Sequence, residues 1–150
     1  MLEKLYRTYR GVMLQRALSI LGDHALAEDA VHEAFIRISR HIGRFERMVS
    51  EECCYLCLTI VRNTALNMLR DRRDTDPLPE DRPAVSSDIS LGIDITSAVN
   101  SLEEGHRQVV LLRLRYGFDT METAKLLGIN QGTVRSRLSR ARKILSKALE

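Results

Sequence analysis

Residues 131–148 carry basic and polar side chains around an apolar stripe at helical spacing. The stripe recurs every three or four residues and consists of Val134, Leu138, Ala141, Leu145 and Ala148. Outside it stand donors of the kind that bind phosphates and base edges: Gln131, Thr133, Arg135, Ser136, Arg137 and Arg140. Because the apolar side can hold such a helix while the donors enter the major groove, the segment is predicted to bind duplex DNA.

A shorter amphipathic pattern, residues 120–127, precedes this helix. Asp119 and Glu122 have the spacing of a capping box, which predicts where the shorter helix begins. Gly128 is predicted to end it, since glycine accepts the left-handed backbone of a helix C-terminus. A short helix, a glycine turn and a basic second helix together predict a helix-turn-helix. The alternative is an amphipathic surface helix whose basic face is merely solvated.

Two other spacings could bind a metal, and both are incomplete. Glu103 and His106 form one Glu-x-x-His pair, and Asp29 with His32 is only a loose second. A carboxylate-bridged di-iron bundle needs two such pairs plus further glutamates. The sequence also has no nucleophile–base set and no glycine loop that could cradle phosphate. It therefore predicts a protein that is not an enzyme and has no cofactor or metal.

The three cysteines of the chain, Cys53, Cys54 and Cys57, lie within five positions of each other. Cys54 and Cys57 have the spacing of half a structural zinc site, but no second pair completes it. An odd number of cysteines in one helical turn is also a poor disulfide framework, which favours a reducing compartment. We expect these cysteines to be buried and inert.

Helical periodicity covers most of the first 74 residues. A first helix, with an apolar stripe that includes Tyr6, Val12 and Met13, is predicted to end at Gly22. Asp23 is a predicted N-cap for the second helix. The apolar stripe of that second helix consists of Ala27, Ala30, Val31, Ala34, Phe35 and Ile38. Residues 43–50 are predicted to be a loop, and a third helix is predicted to begin at Ser50. Its apolar stripe consists of Leu56, Ile60, Val61, Thr64, Ala65 and Met68.

The composition changes between the two periodic blocks. All three prolines, Pro77, Pro79 and Pro83, lie there, and residues 75–98 carry five acidic groups against one basic group. Proline blocks helix continuation, so the sequence predicts an acidic, flexible linker at 75–92. The chain is therefore predicted to be all-α, with two small helical modules at 1–74 and 93–150. Residues 99–150 hold 10 basic and five acidic groups, which suits nucleic-acid binding there.

The sequence also bears on location. No apolar run approaches the roughly 20 residues needed to span a bilayer, and the first residues lack the pattern of a signal peptide. A cytoplasmic protein without a membrane span is the resulting expectation.

Both periodic blocks resemble extracytoplasmic-function sigma factors, the group IV factors of bacterial RNA polymerase. The second block resembles their region 4, through residues 124–129 and 132–142. The first block resembles their region 2, through four short segments in the order and spacing of the family: Leu21-Gly22-Asp23, Ala27-Glu28-Asp29, His32-Glu33-Ala34-Phe35 and Arg62-Asn63-Thr64-Ala65. The resemblance leaves only the linker uncovered, and it implies a factor that directs transcription initiation at specific promoters.

The resemblance also implies a role for individual residues. Asp29, His32 and Glu33 occupy the positions that bind core RNA polymerase, on one face of the second helix. The positions that bind the opened −10 element are Arg62, Asn63, Asn67 and Arg70. Region 4 would bind the −35 element through the donors of residues 131–140 named above. An anti-sigma factor that binds both modules is a further partner implied by the family.

The chain departs from the family at a few positions. His32 stands where glutamine is usual, and Ser39 and Leu56 stand where aromatic residues are expected. Thr59 replaces a residue that is often basic, and Glu103 replaces a frequent proline. The low aromatic content of region 2 leaves one alternative open, a sigma-like mimic that sequesters an anti-sigma factor without initiating transcription. The basic helix at 131–148 argues against a mimic, because a mimic has no need to bind DNA.

Overall fold

The computed structural model describes residues 2–73 and 102–148. Every regular element in these two ranges is helical, which confirms the predicted all-α class. The chain divides into two compact units, the first built on the helices before residue 74 and the second on most of those after residue 102. The predicted linker at 75–92 lies outside the described residues, so the module boundaries stay predictions. No helix within the described ranges is long and apolar enough to cross a membrane.

The first two helices meet at a tight turn. Helix α1 spans Leu2–Leu21 and helix α2 spans His24–Ser39. Gly22 has a φ of 68°, the left-handed geometry expected where α1 ends. The Asp23 carboxylate accepts hydrogen bonds from the backbone N–H groups of Ala25 at 2.9 Å and Leu26 at 3.2 Å. Both the predicted end of α1 and the predicted N-cap of α2 are therefore confirmed.

Helix α4, Ser50–Arg73, packs against both α1 and α2 and completes the core of the first unit. The predicted stripe of α2 is buried at all six positions, and that of α4 is buried at every position except Met68, which is half-buried. The stripe of α1 was predicted less well. Met13 is fully buried, but Tyr6 and Val12 are 39% and 45% exposed.

Residues 43–46 of the predicted loop belong to a short helix instead. Helix α3 spans Ile42–Glu46, so Gly43, the first residue of the predicted loop, lies inside a helix. Phe45 is 1% exposed, and it inserts into the core from this helix. Burial of that one aromatic ring explains why the segment is ordered, because a helix of five residues is too short to be stable alone.

The second unit begins with helix α5, Glu104–Val110, which continues into a π-helical turn at Leu111–Arg115. Gly105 lies within the first turn of α5. Gly117 follows the π-helical turn with a φ of 72°, a left-handed backbone that glycine readily adopts. Helix α6, Thr120–Leu127, and helix α7, Gln131–Ala148, follow, and α7 packs against α5.

We predict that Phe45→Ala destabilises the first unit by about 3–5 kcal/mol, because it removes a fully buried ring and leaves a cavity. Val49→Ala is the matched control, since Val49 is 52% exposed; its effect should be within about 0.5 kcal/mol. Urea unfolding, followed by NMR at amides of α2 and α4, measures the change in stability of both variants. Equal stability of the two variants would show that Phe45 does not anchor the core.

Candidate nucleic-acid interface

Helix α7 has a buried back and a basic front. Val134, Leu138 and Ala141 are 0%, 7% and 0% exposed, as the apolar stripe predicted, and this side faces α5. Residues 131–148 contain six basic residues and no acidic residue. Basic side chains exposed to solvent are Arg135, Arg140, Arg142, Lys143 and Lys147. The helix therefore presents an uninterrupted positive surface while its opposite side is fixed by packing, which suits contact with a phosphate backbone.

The predicted helix-turn-helix is present in the chain trace. The backbone N–H of Glu122 donates to the Asp119 carboxylate at 2.7 Å, and the N–H of Asp119 donates to the Glu122 carboxylate at 3.0 Å. This reciprocal pair is the capping box expected from the sequence. Gly128 has a φ of 67°, and the N–H of Ile129 donates to the carbonyl oxygen of Ala124 at 3.0 Å. These bonds end α6 and set where α7 begins.

The six predicted −35 contacts differ in exposure. Gln131, Arg135 and Arg140 are exposed, whereas Thr133, Ser136 and Arg137 are half-buried. The Nε atom of Arg137 lies 3.5 Å from the position that a Cβ at Gly105 would occupy. The guanidinium of Arg137 thus covers the α5 backbone at a residue without a side chain. Arg137 is consequently part of the packing between α5 and α7, which its position in the sequence did not indicate.

The predicted polymerase-binding residues lie together on α2. Asp29, His32 and Glu33 are all exposed, and their spacing places them on one side of the helix, opposite the buried stripe. A Glu33 carboxylate oxygen pairs with Arg37 Nη2 at 3.0 Å. Arg37 Nη1 also donates to the Thr64 hydroxyl of α4 at 3.4 Å. Arg37 therefore holds Glu33 in place and links α2 to α4.

Arg37 was absent from the residues predicted to form the site. The signal available in the sequence was the i, i+4 spacing from glutamate to arginine, which is favourable on a helix. That spacing does not reveal the bond to Thr64, because Thr64 lies 27 positions away in the chain.

The predicted −10 residues lie along α4. Arg62, Asn63, Asn67 and Arg70 are all half-buried, and Arg62 Nη1 donates to the Asn63 side-chain oxygen at 3.4 Å. Spacings of four and three place Asn63, Asn67 and Arg70 on one side of the helix. Amides that both donate and accept hydrogen bonds are suited to the edges of unstacked bases.

The residues considered for metal binding form no such cluster. Within residues 2–73 and 102–148, no group of three or more histidine, cysteine or acidic residues is placed to hold a metal ion. Glu103 is exposed before the first turn of α5, whereas His106 is buried at 6% exposure. Of the two residues in this Glu-x-x-His pair, one therefore stands at a helix start and the other is part of the core.

The packing of Arg137 leads to a stability prediction. Arg137→Ala should lower the unfolding free energy of the second unit by about 1 kcal/mol, because the end of this side chain covers the α5 backbone at Gly105. Arg135→Ala removes the same charge from an exposed position and should change the unfolding free energy by less than about 0.5 kcal/mol. NMR-detected urea unfolding at amides of α5 and α7 compares the two variants. A smaller loss for Arg137→Ala than for Arg135→Ala would contradict the packing role.

Family models match both helical blocks of the chain. The model for sigma-70 region 2 matches residues 5–75, and the model for sigma-70 region 4 matches residues 93–145. The two matches together leave a short segment between them, in the place where the sequence predicts a linker.

Individual relatives agree with these models. The chain is 31% identical over 152 residues to the ECF RNA polymerase sigma factor SigE of Mycolicibacterium smegmatis, covering 95% of this chain and 59% of SigE. It is 28% identical over 159 residues to SigL of Mycobacterium tuberculosis, covering 100% of this chain and 89% of SigL. Identity to the RNA polymerase sigma factor CarQ of Myxococcus xanthus is 30% over 133 residues, covering 83% and 75% of the two chains.

Among solved structures, the chain is similar to the sigma factor RpoE of Bartonella quintana, crystallised with the anti-sigma factor NepR. That match has a TM-score of 0.41 and 24% identity, and it covers 97% of this chain and 94% of RpoE. The two region models, reinforced by the identity to CarQ, decide the assignment. The chain belongs to the sigma-70 family, among the ECF RNA polymerase sigma factors.

Proposed function

We propose that this protein binds bacterial core RNA polymerase and directs transcription initiation from specific promoters. The observation that carries the proposal is the construction of α7, whose buried back at Val134, Leu138 and Ala141 fixes a front with no acidic residue. In this proposal α7 binds the −35 element as duplex DNA. The exposed side of α2 binds polymerase, and Arg62, Asn63, Asn67 and Arg70 of α4 bind the opened −10 strand. Regulation by an anti-sigma factor is part of the proposal, as expected for the family.

The arginines of α7 divide into two kinds. Arg135 and Arg140 are exposed, on the side of α7 away from its buried stripe. Arg137 is partly engaged with α5, so a loss of DNA binding in its variants combines a lost contact with lost packing. Experiments on DNA binding should therefore rely on Arg135 and Arg140 first.

The test of α7 is titration of labelled −35 duplexes at several salt concentrations. If an arginine contacts a base, its replacement by alanine should weaken DNA binding by about 1–3 kcal/mol and reduce the sequence preference at one base pair. An arginine that binds phosphate should weaken all sequences similarly and reduce the salt dependence of binding. We expect Arg140→Ala to behave in the second way and Arg135→Ala in the first.

Arg47→Ala is the control for these titrations. Arg47 is exposed in the first unit, so the variant removes one positive charge without touching α7. Run-off transcription with core polymerase then completes the test. If a variant lacking Arg135, Arg137 and Arg140 initiates at the level of the unmodified protein, α7 does not bind promoter DNA and the mimic becomes the better interpretation.

The polymerase surface is tested by charge reversal. Replacing Asp29 and Glu33 by lysine should weaken binding to core polymerase at least about tenfold, because opposite charge across an interface both steers association and holds it. Since Glu33 is paired with Arg37, the reversal also places two positive groups together on α2. Glu33→Gln therefore accompanies the double variant, because it removes the charge without adding repulsion.

Glu46→Lys serves as the matched control, since Glu46 is an exposed acid on α3, away from the proposed surface. Fluorescence anisotropy with labelled protein measures affinity, and circular dichroism verifies that helical content is unchanged. Normal affinity in the folded double variant would remove this side of α2 from the polymerase interface.

A further inference from the structure

The cysteines of α4 form a feature that the proposed function does not use. Cys53 and Cys57 lie one helical turn apart, and they are 3% and 0% exposed. Cys54 is half-buried on a neighbouring side of the helix, and all three thiols are free. The sequence predicted buried, inert cysteines; burial is confirmed for Cys53 and Cys57, and their chemistry is a separate question.

Cys53 is reached from a cavity in the first unit. The cavity has a volume of about 430 Å³, and its walls include Lys4, Thr8 and Tyr9 of α1, Phe45 and Glu46 of α3, and Cys53. A water molecule occupies about 30 Å³ of liquid volume, so a small hydroperoxide fits beside the thiol. Cys57 is absent from these walls and fully buried one turn further along α4.

The surroundings of Cys53 favour its ionised form. The thiol of Cys57 donates a hydrogen bond to the Cys53 sulfur, and this bond is the main cause that lowers the pKa of Cys53. Burial acts in the opposite direction, and the polar hydroxyl of Tyr9, which donates to the Ser50 carbonyl oxygen at 3.3 Å, lowers the pKa of Cys53 further from the wall of the same cavity. Burial first, and the charge of Cys53 second, raise the pKa of Tyr9 to about 12, so Tyr9 stays protonated as a donor at neutral pH.

The other two thiols are held in their neutral form. The pKa of Cys57 is raised because its thiol donates to Cys53, and burial raises it further. Burial, followed by the charge of Cys53, raises the pKa of Cys54. Thiolate is the nucleophilic form of cysteine. Cys53 is therefore the reactive thiol of the three, with a neutral thiol positioned one turn behind it.

We propose that Cys53 is an oxidation site for small hydroperoxides and that Cys57 resolves the oxidised form into a disulfide. The Cys53 thiolate attacks one peroxide oxygen, the O–O bond breaks, and the departing hydroxide or alkoxide takes a proton from water. Cys53 becomes a sulfenic acid. Oxidation of Cys53 removes the thiolate that raised the pKa of Cys57. Cys57 then loses its proton as its sulfur attacks the Cys53 sulfur, the S–O bond breaks, and hydroxide leaves with that proton as water. Two thiols are oxidised and one hydroperoxide is reduced to an alcohol or water.

Disulfide formation would deform α4. Bonded cysteines require Cβ atoms about 3.5–4.5 Å apart, whereas residues at i and i+4 of a helix have Cβ atoms about 5–6 Å apart. The turn between them carries Leu56, which is fully buried in the core. A loop this short gains little stability from closure, so the strain is not offset. The oxidised first unit should therefore unfold at a lower urea concentration than the reduced one.

The experiment uses the full chain with Cys54→Ser, which leaves only two cysteines. We expect hydrogen peroxide to give a monomer that has lost two hydrogen atoms by intact mass spectrometry, reversed by dithiothreitol. Oxidation should be about threefold or more faster than in the same chain unfolded in urea, where neither thiol is assisted. Adding Cys57→Ser should stop the reaction at a Cys53 sulfenic acid, which dimedone traps. Tyr9→Phe should slow the first step while leaving the second intact.

Three outcomes would overturn the proposal: oxidation slower than in the unfolded chain, dimers in place of the internal disulfide, or preferential dimedone labelling of Cys54 in the unmodified protein. Because Cys53→Ser could disturb packing, Cys53→Ala provides a second variant, and reaction of either at the unmodified rate also contradicts it. None of these measurements uses polymerase or DNA. The proposal therefore stands or fails separately from the proposed function.

Discussion

The close approach of α1, α2 and α4 is the constraint on which the first unit depends. Fully buried alanines line the contacts between these helices: Ala17, Ala27, Ala30, Ala34 and Ala65. Small side chains let helix axes come near the short end of the usual 8–10 Å range, and larger residues fit around them at the ends. A larger residue at any of these positions would force the helices apart, which typically costs about 1–3 kcal/mol. The orientation of every outward side chain on α2 and α4 follows from this packing.

A buried stripe on one side of a helix decides what the opposite side can do. On α2 the alanine-rich stripe leaves Asp29, His32 and Glu33 in solvent, and a hydrogen bond from Arg37 to Thr64 links α2 to α4. On α7 the stripe at Val134, Leu138 and Ala141 has the same effect for the basic side chains. Both proposed binding surfaces are therefore built on rigid helices rather than on loops, which favours precise recognition.

Helix α4 carries three sets of residues with different roles. Its middle supplies the core residues Ile60 and Val61, its later turns carry the amides proposed to bind the −10 strand, and its first turns carry the thiol pair. A change of helical geometry at Cys53 and Cys57 would disturb the packing of the core, because Leu56 lies between them and has no exposed surface. The thiols and the amides proposed to bind the −10 strand thus lie on one continuous helix.

Local patterns in the sequence were sufficient for the all-α class, the caps and the helix-turn-helix. All six stripe positions of α2, the Asp23 cap and the capping box of Asp119 and Glu122 were predictable, because each depends on residues within one or two turns. Contacts between distant residues were decided only by the tertiary structure. Phe45 orders a segment predicted to be a loop, and Arg137 covers the bare backbone at Gly105. Tyr9 meets Cys53 across 44 positions of sequence. Helical periodicity gives the direction of a side chain from its own axis, whereas the neighbour that it meets depends on how separate helices pack, and no local spacing encodes that.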